Sequence, residues 1–353
     1  MALSSNAYGA REYVLPYTVC GIYEVDYTLG RGPASSLMHA FSILDGTEVA
    51  MKLELLPREP SKRPLRLEYE TAVYKLIPDH AEGFPKVLWS GKDGNCQVLI
   101  LEMLGPTLDQ LRRLCRGRFS LRTICMLADQ MITRLEYLHS RGLVHGDIKP
   151  HNFAMGNGSR SGVVHLFDLE HAKMYIDPAT GEHIPDSGRR HATGTVRYAS
   201  IAAHSSHEVS RMDDLESLFY VLLEFYHGAL PWKGALAPSW PAKVQRIGDM
   251  KADPIIMGEV LSRSPPEFAA FHTHCISLPY GATPDYALLR NLFRERIALE
   301  GWCPQAPQDN DGINSGKFDW LDPSALPGGT LLPEEYYVHT SFLEEPQWNP
   351  ATM

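Results

Sequence analysis

The segment His145-Gly146-Asp147-Ile148-Lys149-Pro150-His151-Asn152, with Leu166-Phe167-Asp168-Leu169-Glu170 after it, constrains this chain more than any other feature. A carboxylate, an ammonium two residues on and a carboxamide five residues on share one short loop. A second carboxylate, Asp168, then follows a short apolar run. A chance solvated loop is a poor account of all four groups at this spacing, so the fold has to carry them to one cleft.

The 353 residues are 44% hydrophobic, enough to bury a large core and to exceed one minimal domain. A bilobal unit of roughly 280–300 residues with flanking segments fits this length. The 33 Lys and Arg against 42 Asp and Glu give a formal charge of -9, which supplies no global attraction to nucleic acid or anionic membrane. Six cysteines, at 20, 96, 115, 125, 275 and 303, include no CxxC pair and read as reduced packing residues. The N-terminus lacks a long apolar signal region, and no run reaches the roughly 18 apolar residues of a membrane-spanning helix. The expectation is a soluble intracellular protein, cytoplasmic or nuclear.

From Tyr23 the pattern is of short strands, Tyr23–Leu29, Leu37–Ile43, Glu48–Leu55, Val87–Ser90 and Gln97–Met103, each bounded by Gly, Asp or Pro. Between them Leu65–Leu76 has helical spacing, with Leu65, Tyr69, Ala72, Val73 and Leu76 as its apolar side. After Gly105-Pro106 the pattern turns helical, with a short helix over Thr107–Cys115 and a long one over Leu121–Ser140. The long helix buries Ile124, Leu127, Met131, Leu135 and Leu138. Thr180–Thr195 reads as a surface loop, and Asp213–Glu224, Phe268–Cys275 and Tyr286–Arg296 as further helices. The expected division is a lead-in over 1–19, a small lobe over 20–104, a larger one over 105–300 and a partly docked tail over 301–353.

Phosphoryl transfer needs positioning and charge neutralisation more than covalent chemistry, and the parts for it occur in order. Gly30-Arg31-Gly32-Pro33-Ala34-Ser35 lies between two strands, where a glycine-rich flap would cover phosphates; a tight hairpin turn would look the same. Ser35 stands at the third glycine position of such a flap, and Pro33 removes one backbone N–H. Lys52 sits mid-strand in Val49-Ala50-Met51-Lys52, with Glu70 favoured over Glu68 as its partner. Asp147 is the candidate to accept a hydroxyl proton, Lys149 to lie near the transferring phosphate, and Asn152 and Asp168 to hold Mg²⁺ through oxygen. His145 reads as packing beneath the loop. Glu170 adds a charge that could crowd the site, bind metal or turn outward.

These motifs closely resemble the casein kinase 1 family of protein kinases, with some likeness to its tau-tubulin kinase branch. The resemblance rests on Lys149-Pro150-His151-Asn152-Phe153-Ala154-Met155-Gly156, Leu104-Gly105-Pro106-Thr107-Leu108, Leu127–Ile132 and Asp177–Pro185. Most specific is Thr193-Gly194-Thr195-Val196-Arg197-Tyr198-Ala199-Ser200-Ile201, followed by Arg211–Leu218, Leu230–Gly234 and Phe318-Asp319-Trp320. It covers about residues 20 to 300.

The resemblance implies an α+β bilobal protein kinase fold, with a β-rich N-lobe holding one helix and a larger, mostly helical C-lobe. It implies transfer of the γ-phosphate of ATP, with Mg²⁺, to Ser or Thr of proteins, by a monomer that needs no activation-loop phosphate. Gly30, Gly32, Ser35, Leu37, Ala50 and Lys52 would then line the nucleotide site, with Leu101 as gatekeeper and Glu102 to Leu104 as hinge. Asp214 would anchor the catalytic loop through its N–H groups. Arg190 and Arg197 match an anion site for acidic or phosphorylated substrates; Leu236 replaces a lysine there, with Lys243 and Arg246 nearby, which implies an altered peptide preference. Gly146 replaces a common arginine and Leu169-Glu170 the usual Phe-Gly, so a pseudokinase scaffold that binds nucleotide or partners without transfer is the alternative.

Overall fold

A computed structural model describes residues 18–32, 35–57, 65–186, 188, 194–205, 207–302, 318–322 and 326. Six strands form one antiparallel sheet: β1 (Thr18–Val19), β2 (Tyr23–Arg31), β3 (Ser35–Ser42), β4 (Glu48–Leu55), β5 (Val87–Asp93) and β6 (Cys96–Glu102), in the order β1-β2-β3-β4-β6-β5. Thr18 and Val19, placed in the lead-in by the sequence, instead pair with Glu24 and Tyr23. The reason is burial, since Val19 packs in the sheet's own apolar cluster with Met51, Val98 and Ile100.

Helix α1 (Arg66–Tyr74) crosses behind the sheet, and its buried face corrects the sequence expectation. Leu67, Glu70, Thr71, Val73 and Tyr74 face inward, whereas Tyr69 and Leu76 are 40% and 41% exposed. Of the expected apolar side only Val73 is buried, so apolarity alone misplaced the rest. The inward position of Glu70 is stabilised by a cation from the sheet, described below, and that interaction sets the helix's rotation.

The larger lobe is built on α2 (Leu108–Leu114), α3 (Leu121–Ser140), α4 (Ile201–His204), α5 (Arg211–His227), α6 (Trp240–Ala252), α7 (Pro254–Ser262), α8 (Pro266–Ser277) and α9 (Tyr286–Leu299). The stripe expected for α3 is buried throughout. Its first turn is capped by the Ser120 hydroxyl, which accepts from Thr123 N. Asp319 reinforces that end by accepting from Ser120 N and Ser120 Oγ, both at 2.6 Å, while Phe318 and Trp320 stack and join the main core. Helix α5 starts with a capping box of Ser210 and Asp213 and stops at Gly228 in the left-handed region.

Four two- and three-residue strands, β7 (Leu143–Val144), β8 (Phe153–Met155), β9 (Val164–Leu166) and β10 (Lys173–Met174), bracket the loops between α3 and α4. Pairing β8 with β9 sets Asn152 against Phe167, and so brings the 147–152 loop beside Asp168. No helix of the described residues is long and apolar enough to cross a membrane. The five described cysteines are free thiols, and Cys303 lies outside the described residues.

Candidate active site

Strand alternation decides what faces the cleft. Register pairs Leu37 with Lys52 and Ala50 with Leu101, so these four share a face. Val49, Met51 and Leu53 point the other way into the sheet's separate cluster. Lys52 Nζ lies 2.7 Å from Glu70 Oε1 and 2.6 Å from Asp168 Oδ1. Glu68, the rival partner, instead pairs with Lys92 at the surface at 3.4 Å.

The buried carboxylate of Glu70 and the partly buried one of Asp168 therefore share one ammonium. Burial works against the charge of Lys52, but Asp168 and Glu70 outweigh it and hold its pKa well above the ordinary value. Burial raises the Glu70 carboxyl to about 7 against the pull of Lys52. Burial also opposes ionisation of Asp168, yet Lys52 and Lys149 hold its carboxyl below the usual range. The Asp168 backbone is in the left-handed region, φ 64° and ψ 68°, which costs a non-glycine residue strain. Asp168 N donates to Tyr74 Oη and Leu169 N to Glu70 Oε1, both at 3.2 Å, and these bonds hold that backbone in place.

The 145–152 loop hangs from one buried carboxylate. Asp214 accepts from His145 N at 2.7 Å, Gly146 N at 2.9 Å and His139 Nε2 at 2.9 Å. His145 is fully buried, its Nε2 lies 3.1 Å from Phe167 O, and burial lowers its pKa. Gly146 has φ 77°, and a Cβ there would lie 3.0 Å from His171 O, so the arginine common at this position in other chains would meet backbone.

Asp147 Oδ2 pairs with Lys149 Nζ at 2.9 Å, and Asp147 Oδ1 accepts from Thr195 N at 2.7 Å. Burial raises its pKa, but Lys149 and His171 outweigh this and leave it lowered, so at neutral pH it is an ionised proton acceptor. Asn152 Nδ2 donates to Asp147 O at 2.9 Å, which leaves its side-chain oxygen as the atom for a cation.

Glu170 is partly buried and pairs with His171 Nε2 at 3.3 Å. Burial disfavours the imidazolium, but Glu170, Asp147 and Asp168 raise the His171 pKa to about 8. The folded value lies above the unfolded one, so this stabilisation is complete below pH 6.5 and fades as pH rises through about 8. We expect it to reach about 1–2 kcal/mol by linkage. Urea midpoints of the wild type and His171→Gln at pH 6 and 8.5 check it: the gap should shrink at the higher pH, and an equal gap at both would refute it.

Strands β2 and β3 stay paired up to either end of the Gly30–Ser35 segment. Gly30 pairs with Leu37, Arg31 with Ser36, and Gly32 N donates to Ser35 O at 2.8 Å; Pro33 lies outside the described residues. Leu101 is buried at 4%, and Glu102 ends β6 with its carboxylate on Arg160. Leu104 is half-buried where the chain leaves the sheet for the helical lobe.

Arg197 is already engaged. Its Nη1 lies 3.3 Å from the buried Glu224, and it shares a shallow recess with Lys233, Trp240 and Lys243. Leu236 is 83% exposed, and Arg190 lies outside the described residues. Lys233, Glu224, Tyr74 and His171 were not singled out by the sequence. Of these Tyr74 was accessible, because it follows Glu70 by one helical turn and so shares its face.

The geometry therefore gathers Lys52, Glu70, Asp147, Lys149, Asn152 and Asp168 into one cleft between a β-rich and a helix-rich lobe. Residues 23–277, well over half of the chain, match the family model for the protein kinase domain, and the chain belongs to that family.

Proposed function

We propose that this chain is an active, monomeric Ser/Thr protein kinase of casein kinase 1 type, using ATP and Mg²⁺ on protein substrates. A protein kinase domain implies nucleotide-dependent phosphoryl transfer in general. The observation that carries the finer reading is the pairing of Lys52 with both Glu70 and Asp168, at 2.7 and 2.6 Å, beside an ionised Asp147. An intact ion pair of this kind is what a transfer-competent cleft requires.

In this reading the kinase unit spans about 20–300, with its lobes meeting near 104 and the tail partly docked. Gly30, Gly32, Ser35, Leu37, Ala50 and Leu101 enclose the nucleotide, and Glu102 to Leu104 meet its base through backbone groups. Lys52 orients its phosphates. Asp168 and the Asn152 side-chain oxygen are hard donors that fit Mg²⁺, which when bound neutralises charge on the phosphates. Asp147 orients the substrate hydroxyl and accepts its proton, while Lys149 balances charge beside it. The alternative is the pseudokinase scaffold, favoured by Glu170, a further carboxylate whose charge acts on Lys52 and Glu70.

The test is Mg²⁺-dependent transfer of labelled γ-phosphate to an acidic protein. Transfer by the wild type supports the kinase; nucleotide binding without transfer supports the scaffold. The anion recess adds a preference. With Leu236 in place of a lysine, Lys243→Ala is expected to raise KM for a phosphorylated peptide by only about threefold, the scale of one exposed charge contact. An unphosphorylated peptide compared in parallel should not respond; equal change for both would exclude a phosphate-reading role.

A further inference from the structure

Lys251 lies outside the cleft and is 2% exposed. From α6 its Nζ reaches Val196 O at 3.0 Å, Ala199 O at 2.6 Å and His204 Nε2 at 3.1 Å. Nζ donates to both carbonyls, and the His204 ring nitrogen completes its hydrogen-bonding shell. The rings of Tyr220 and Trp232 flank it, 4.7 and 5.1 Å from Nζ to centroid, and their faces favour a cation. Burial pulls the Lys251 pKa down against the attraction of Glu216. Burial and this neighbour push His204 down to about 3, so its imidazole stays neutral.

The two carbonyls bracket Arg197 and Tyr198, directly after Thr195, whose N–H bonds Asp147. The rest of the segment is tied down from the same side. Trp232 Nε1 donates to Arg197 O at 2.8 Å, and the side chains of Arg197 and Tyr198 both meet Glu224. Tyr198 N and Ala199 N fold back to Thr195 O. A loop this deeply packed needs partners for its carbonyls, and Lys251 serves two of them with one group.

We propose that Lys251 is a positioning residue for the protein substrate: it clasps residues 196–199 against α5 and α6 and thereby sets where a peptide lies relative to Asp147. This rests on the kinase reading for its catalytic arm. Lys251→Met keeps the length and the ring packing but loses the donors. It is expected to raise peptide KM about tenfold, the worth of one net buried hydrogen bond or two, with kcat and ATP KM within about twofold of wild type. Amide exchange at Tyr198 and Ala199 should accelerate while α3 and α5 stay protected. Lys251→Arg, a cation that also stacks on rings, should restore peptide KM to within about threefold.

Unchanged peptide KM and unchanged exchange in Lys251→Met would overturn the proposal. So would a loss spread evenly over ATP, peptide and the whole lobe. The exchange arm needs no turnover, so it reads the clasp even if the wild type transfers no phosphate. Should Lys251→Met not fold, Trp232→Phe removes the neighbouring donor to Arg197 O and should show the same split in weaker form; wild-type peptide KM and exchange there would equally overturn it.

Discussion

Asp147→Asn should lower kcat for phosphoryl transfer by about 10²–10⁴-fold, the range lost with a positioned general base. The asparagine oxygen can still accept from Thr195 N, so the 2.7 Å tie between the loop and residue 195 has a replacement. What vanishes is the negative charge that Lys149 balances at 2.9 Å and that receives the hydroxyl proton. Nucleotide affinity should stay within a few fold, because Lys52 and Asp168 are untouched. Steady-state kinetics beside a nucleotide titration measures both; a variant with wild-type kcat would remove Asp147 from the chemistry.

The second large effect is on stability. Asp214→Ala strips the acceptor from His145 N, Gly146 N and His139 Nε2 together. Each buried donor left unpaired costs about 1–3 kcal/mol, with some relief from water entering. A total loss of about 3–5 kcal/mol is expected, enough to unfold a marginal domain near body temperature. Burial opposes the charge of Asp214, but His139 and His145 outweigh it and lower its pKa. Its contribution is therefore present above the ordinary carboxylate range and is lost only as pH falls below it. Urea denaturation at pH 7 reads the change; a loss below about 1 kcal/mol would show that the loop is held by other contacts.

The groups closest to the chemistry were legible because their geometry is local. Asp147, Lys149 and Asn152 lie within six residues, so spacing alone nearly fixes their relation. Lys52 was readable as a polar residue interrupting an apolar strand. The misreading of α1 has a clear origin: Tyr69 and Leu76 are more apolar than Glu70 and Thr71, but a salt bridge from β4 outweighs that difference. Helices α6 and α7 were passed over, and few of their residues are buried: Ile247, Gly248 and Lys251 in α6 and Met257 in α7. Their starts were nonetheless written in the chain, as Ser239-Trp240-Pro241 and Asp253-Pro254, a capping side chain followed by proline. Lys251 and Glu224 could not be read, since their partners lie 55 and 27 residues away and nothing in their own neighbourhoods announces them.

Strand β6 is a wall shared by two interiors. Cys96, Val98 and Ile100 belong to the sheet's own cluster, while Leu99 and Leu101 belong to the main core. One seven-residue stretch therefore specifies the ceiling of the cleft and the outer layer of the small lobe at once. A shift of a single residue would exchange the two sets. Length changes inside β6 are consequently forbidden in a way that substitutions are not: the strand can drift in composition along either face, but inserting or deleting one residue would rewrite both interiors together.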